Sequence, residues 1–181
     1  DALGLLKMDF LGLRNLDVID RAVEVIEQSQ GVRLDMDALP LDDRKTYEMM
    51  ARGDATGVFQ FESSGMRDAL RQVKPTEFED LIALNALYRP GPMQFIPDYA
   101  KNKADPSRVR YEDERLRPLL EGTHGICIYQ EQFMEIAKAV AGFTPAEADD
   151  LRKAIGKKIA TLMASLQEKF IAGCAGNGAS E

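Results

Sequence analysis

The stretch from Thr76 to Pro92 constrains this chain more than any other. Phe78, Leu81, Ile82, Leu84, Ala86 and Leu87 make a helix that is apolar on most sides. Such a helix has little solvent face, so it belongs at the buried centre of a helical domain. Its ends are written in the same stretch. Thr76-Glu77-Phe78-Glu79 has the form of a capping box, with Thr at the N-cap and Glu at N3. Arg89 precedes Pro90 and is pushed away from helical angles, so the helix stops near Tyr88. Arg89-Pro90-Gly91-Pro92 is then a stiff corner that holds an arginine in place. Two readings of Arg89 stand side by side: a loop arginine bonded to nearby carbonyls, and a contact to a phosphate.

Helical patterning extends to both sides of this centre. Leu16, Ile19, Ala22, Val23 and Ile26 predict a helix from about Leu13 to Gln30, with Gly31 as its C-terminal cap. Asp42 is placed to cap a short helix through Arg52, and Ser63 or Ser64 one running to about Val73. Gly57-Val58-Phe59-Gln60-Phe61 alternates and predicts a short strand. The mixed charges from Asp98 to Pro118 predict a solvated loop with a short helix. A helix from Ile128 to about Ala141 carries Phe133, Ile136, Ala137 and Val140 inward. Gln130 and Gln132 crowd its first turn, where side chains act as caps and free N–H groups can meet an anion; capping is the simpler account. Thr144-Pro145-Ala146-Glu147 is a second capping box, and Leu162, Leu166 and Phe170 stripe a last helix from about Ile159 to Ala172.

The 181 residues are 45% apolar and 29% charged, enough for a packed core. No apolar run is long enough to span a bilayer, so no membrane is expected. Cys127, Cys174 and the single His124 lack metal-ligand spacing, and a reduced cytoplasmic protein is the simplest reading. The net charge of −7 argues against coating nucleic acid but not against a local basic surface. The chain opens on Asp1 directly into apolar sequence, as expected of a piece of a longer protein.

Two clusters carry candidate chemistry. In Lys7-Met8-Asp9-Phe10-Leu11-Gly12-Leu13, strand periodicity puts Lys7 and Asp9 on one face and Leu6, Met8 and Phe10 on the other. Asp9 is a hard oxygen ligand and Lys7 a point charge, a pair that can hold a metal-bound phosphate. Taken alone, a surface ion pair accounts for them. The second cluster is Arg152, Lys153, Lys157 and Lys158, four basic residues within seven positions. Asp149 lies three and four residues before the first two, so pairing within the helix covers those. Lys157 and Lys158 are left without evident partners, and the whole face suits a triphosphate or a DNA backbone.

The order of the short motifs is distinctive. Lys7-Met8-Asp9-Phe10-Leu11-Gly12-Leu13-Arg14 is followed by Gly57-Val58-Phe59-Gln60-Phe61-Glu62-Ser63 and Leu87-Tyr88-Arg89-Pro90-Gly91-Pro92. Tyr129-Gln130-Glu131-Gln132 and Leu151-Arg152-Lys153-Ala154-Ile155-Gly156-Lys157-Lys158 come next. Over essentially its whole length the chain resembles the alpha, or polymerase, subunit of bacterial DNA polymerase III, a family C replicative polymerase.

The resemblance implies a mainly α (α+β) architecture: residues 1–14 end a Pol β-like nucleotidyltransferase palm, and residues 15–181 form helical fingers. It implies a DNA-directed DNA polymerase in which three palm aspartates hold two Mg²⁺ ions. Asp9 matches the third aspartate, with Lys7 beside it toward the phosphates, and the other two form an Asp-x-Asp pair upstream. Arg152 and Lys153 match the basic pair that faces the incoming triphosphate; Lys in second place keeps charge but loses the guanidinium fork. Lys157 and Lys158 continue that face, and the resemblance also implies nucleotide or phosphate binding at the motif positions Arg89, Gln130 and Gln132. The implied partners are primer-template DNA and dNTP and, for the complete protein, replicase subunits such as the sliding clamp and the proofreading exonuclease. With one carboxylate of three, the isolated chain is expected not to polymerise. The rival expectation, which composition alone favours, is a non-enzymatic helical module that binds a protein partner.

Overall fold

In the computed structural model, residues 4–5 and 8–179 are described. The chain divides into two compact units, Asp1–Leu41 and Asp42–Glu181. The described residues are mainly helical and contain no strand.

The first unit is built around α1, Arg14–Gln30, which ends as expected at Gly31 with φ 67°. The Gly31 amide donates to the Glu27 carbonyl at 2.9 Å, an αL cap that glycine adopts without steric penalty. None of its residues is buried; Leu16 and Val18 stand exposed. The expected strand over residues 7–13 does not form among the described residues, and Lys7 lies outside them. Phe10 and Leu11 are 92% and 98% exposed. Alternation alone makes no strand: the backbone N–H and C=O groups need a ladder partner, and the described residues supply none.

The second unit holds two hydrophobic clusters. The first is made by α2 (Arg44–Ala51), α3 (Ser64–Val73), α4 (Phe78–Leu87) and α5 (Ile96–Ala104). Asp43 caps α2 by accepting from the Lys45 amide, one residue later than the expected cap, and Ser63 caps α3 by accepting from the Met66 amide. Met50, Leu70, Leu84, Leu87 and Tyr99 are the bulk of this core. As expected, α4 runs through the middle, although Phe78 and Ile82 stay partly exposed. Its capping box is shifted by one residue. Glu77 is the N-cap and Asp80, not Glu79, accepts from the Glu77 and Thr76 amides at 3.3 and 2.8 Å.

Residues 57–61 form turns rather than the expected strand. Gly57 has φ 79° and Gln60 φ 67°. The Val58 and Phe61 amides donate back to Ala55 and Val58 carbonyls at 3.1 and 3.0 Å, so the alternating pattern serves consecutive turns. Phe61 still reaches the core. The charged segment after α4 is more helical than expected: α5 occupies its start, and α6 (Arg117–Leu120) follows two short 3₁₀ turns.

The second cluster joins α7 (Gln130–Ala141), α8 (Pro145–Lys157) and α9 (Ala160–Gly176). Its core is small-residue packing: Ala137, Ala141 and Ala154 with Phe143 and Leu166. A Cβ on Gly173 would lie 2.1 Å from the Ala141 carbonyl oxygen, so α9 meets the end of α7 backbone to backbone. The Thr144 box forms as expected, the Thr144 amide donating to Glu147 at 2.9 Å and the Glu147 amide to the Thr144 hydroxyl at 3.4 Å. Among the described residues no helix is long and apolar enough to cross a membrane.

Candidate functional site

The candidate site gathers on α8, on the first turn of α7 and on the corner after α4. Along α8, Ala148 and Ala154 face inward. At 100° per residue, Arg152, Gly156, Asp149, Lys153 and Lys157 share the opposite arc, about 140° wide. One face therefore presents three cations and a carboxylate. Asp149 accepts from Arg152 at 2.8 Å and from Lys153 at 2.9 Å, and Lys153 also reaches Asp150 at 3.3 Å. The Lys153 and then the Arg152 hydrogen bonds hold the Asp149 carboxyl below its ordinary range. The same two aspartates hold the Lys153 ammonium above its own. Lys157 and Lys158 are exposed and form no ion pair among the described residues. Lys158 ends α8 with φ 53°, a cation at the negative end of the helix dipole.

Arg89 sits where the sequence places it, in a tight corner. Its amide donates to the Leu87 carbonyl at 2.7 Å and its carbonyl accepts from Met93 at 3.1 Å. Gly91, with φ 101°, makes the turn that a Cβ would oppose. The Arg89 side chain is exposed and makes no hydrogen bond or ion pair to any described residue, so nearby carbonyls do not hold it.

Arg89 shares a cavity of about 360 Å³ with Tyr129, Gln130 and Glu131. Gln130 also lines a smaller cavity, of about 60 Å³, with Phe133, Arg152 and Ile155. Gln130 thus touches two cavities, one containing Arg89 and the other Arg152. Glu131 in the larger cavity works against a bare anion there. Lys153, Lys157 and Lys158 line neither cavity. Ile128, Phe133 and Ile155 line the smaller one without having been singled out as site residues; of the three, only Phe133 belongs to an apolar stripe read from the sequence.

Gln132 is placed differently. Its Oε1 accepts from the Ile128 and Tyr129 amides at 2.8 and 2.9 Å. Its Nε2 donates to the Leu119 carbonyl at 3.1 Å and to the Thr123 hydroxyl at 2.8 Å. Both ends of the amide are occupied by the fold.

Asp9 is exposed and belongs to the first unit. A carboxylate is the hard oxygen donor that Mg²⁺ takes, but Mg²⁺ keeps its waters unless several such ligands converge. The described residues bring three metal-ligating side chains together at one place, Glu77, Asp80 and His124, and Asp9 is not among them. Asp80, the buried member of that trio, is already committed. Asp80 accepts from the Tyr99 hydroxyl at 3.1 Å as well as from Thr76 and Glu77, and Lys103 lies 3.2 Å away. An ammonium in that position takes the place of a metal cation.

These features describe a helical domain that turns its cations outward beside one polar cavity and one smaller, mainly apolar one. The chain belongs to the bacterial DNA polymerase III alpha subunit finger domain family, whose sequence profile matches residues 15–178. It is 45% identical over all 181 residues to the DNA polymerase III subunit alpha of Staphylococcus aureus strain COL, and covers 17% of that relative. It is 48% identical over 175 residues to the DNA polymerase III subunit alpha of Halalkalibacterium halodurans, covering 97% of this chain and 16% of that relative. The chain thus spans about one sixth of the length of the curated relatives it matches.

Proposed function

We propose that this chain is the fingers part of a template-directed replicative DNA polymerase and delivers the incoming dNTP and primer-template DNA to a palm held mostly in other segments. The observation that supports this is identity of 45–48% along effectively the whole chain to DNA polymerase III alpha subunits. The site chemistry agrees with it. Arg152 and Lys153 are the cations for the triphosphate, Lys157 and Lys158 extend the positive face along the phosphate backbone, and Arg89 and Gln130 line the approach. At rest Asp149 occupies Arg152 and Lys153, so a triphosphate binds by competing with that carboxylate for the same donors. An arginine fork gains two parallel hydrogen bonds to phosphate and Lys153 a single point contact.

Asp9 is the one carboxylate this chain offers to the pair of Mg²⁺ ions. Bound ions of this kind lower the pKa of the primer 3′-hydroxyl and neutralise charge on the triphosphate. Lys7 acts beside it on the phosphates. One ligand makes no Mg²⁺ site, so the isolated chain does not polymerise. The sliding clamp and the proofreading exonuclease are partners of the complete protein, which works in the cytoplasm.

Primer extension with the complete subunit tests this reading. Asp9→Asn abolishes incorporation while DNA binding is retained. Arg152→Ala raises KM for dNTP or lowers kcat. Full activity of the Asp9 variant removes Asp9 from the metal site, and unchanged constants for the Arg152 variant remove the triphosphate role.

A further inference from the structure

Gln132 closes a motif whose other glutamine, Gln130, lines the cavities, yet its own amide has no free hydrogen-bonding end. We infer that Gln132 is a positioning residue: it clamps the first turn of α7 to the turn at Leu119–Thr123 and so holds Gln130 between the Arg89 cavity and the Arg152 cavity. This inference rests on the polymerase reading above.

The clamp has a direction. Gln132 Nε2 donates to the Thr123 hydroxyl at 2.8 Å, and that hydroxyl donates to the Leu120 carbonyl at 3.2 Å. Thr123 is 4% exposed, so neither partner can be replaced by water without rearrangement. The turn is in turn fixed to the first cluster. Asn102 of α5 donates to the His124 carbonyl at 2.9 Å, and the His124 ring meets Tyr99 edge-on at 4.9 Å. Tyr99 is bonded to the buried Asp80. On the other side, the Ile128 and Tyr129 amides that donate to Gln132 lie just ahead of Gln130. A cap alone would use only the Oε1 end of Gln132. The Nε2 end joins α7 to a different segment and thereby sets where the helix begins in space. The two ends of one amide therefore do two jobs, and a substitution can separate them.

Gln132→Glu keeps the acceptor for the Ile128 and Tyr129 amides and gives up the donor, so α7 stays capped while the clamp opens. In the complete polymerase subunit, Gln130→Ala raises KM for dNTP roughly tenfold through a lost hydrogen bond to a charged ligand. Gln132→Glu raises it by a similar factor through misplacement. The double variant is no worse than about twofold beyond either single, because both remove the same contact. Thr123→Val, which keeps size and leaves Gln132 in place, raises KM in the same direction by less, and it serves if Gln132→Glu does not fold. A merely structural role would lower kcat through the folded fraction and leave KM unchanged. That result overturns the inference, as do singles whose effects multiply in the double variant, which would put Gln132 on the nucleotide itself. If Gln130→Ala leaves both constants unchanged, the reading of Gln130 as a nucleotide contact fails and the clamp loses its purpose, whatever Gln132→Glu does.

Discussion

The two clusters of the second unit solve the same packing problem with opposite materials. The cluster of α2–α5 is filled by large side chains, with Leu70, Leu84 and Tyr99 essentially inaccessible, and it encloses one carboxylate, Asp80, that is completely buried. The cluster of α7–α9 has three alanines among its five buried residues, beside Phe143 and Leu166, with Gly173 where α9 meets α7, and its charges sit on the outside of α8. In the first, charge is spent inward on holding a helix start and a neighbouring helix together. In the second, small residues bring the helices close, and the side chains with chemistry are left to face outward. A stable base and a presenting surface thus occupy successive parts of one unit.

Three measurements break or sharpen that contrast, and the largest effect lies in the first cluster. Asp80→Ala strands the Tyr99 hydroxyl and the Thr76 and Glu77 amides, and takes the counter-charge from Lys103, whose ammonium keeps only the Lys74 carbonyl and the Thr76 hydroxyl. Leaving a buried charge and its partners unpaired costs about 3–5 kcal/mol. Urea denaturation of the chain reads it, and a loss under about 1 kcal/mol would show that the inward charge holds nothing.

Next comes Gly173→Ala in the second cluster. The new methyl meets the Ala141 backbone carbonyl, which cannot swing aside, so α9 moves away at about 1–3 kcal/mol. The comparison within the first cluster is Gly65→Ala. There the methyl meets the Tyr88 hydroxyl, also at 2.1 Å, but at the end of a side chain that can turn. Its loss is smaller, about 1 kcal/mol, the cost of a displaced rotamer. Equal losses at the two glycines would mean that backbone contact is not what distinguishes the second cluster.

The smallest effect is an acid one. The hydrogen bond from Lys169 of α9 holds the Glu147 carboxyl of α8 down to about 2. A depressed carboxylate stabilises the folded state above its ordinary range and loses that contribution as pH falls through the folded value. The tie between α8 and α9 therefore weakens between about pH 4.5 and about pH 2. Glu147→Gln flattens this part of the acid titration; an unchanged titration would remove Glu147 from the account.

What the sequence made legible follows the range of the forces involved. Helix periodicity, the Gly31 cap, the Thr144 box and the Asp149–Arg152 and Asp149–Lys153 pairs are decided within a turn or two, and all could be read locally. The α4 box was misplaced by one residue because Asp80 is favoured by Tyr99 and Lys103 of α5, which no local pattern reveals. The strands at 7–13 and 57–61 failed for a related reason: alternation requires a ladder partner, and turn bonds claimed the second segment. In the site, the absence of ion pairs at Lys157 and Lys158 among the described residues was legible. The shared cavity of Arg89 and Gln130 was not, since it depends on how the corner after α4 meets the start of α7.

On the reading proposed above, the carboxylate between Arg152 and Lys153 would also shape how anion binding at this face responds to salt. When mobile ions surround a polyanion, its cationic ligand releases them to bulk solution, and binding weakens steeply as salt is added. Asp149 stands on the other side of that exchange: it is tethered to the same helix as Arg152 and Lys153, and it remains beside the site after an anion has displaced it. Its retained charge opposes the incoming phosphate instead of contributing mixing entropy. On that reading the face would discriminate by geometry: a phosphate would have to match the guanidinium better than Asp149 does, and charge alone would not suffice.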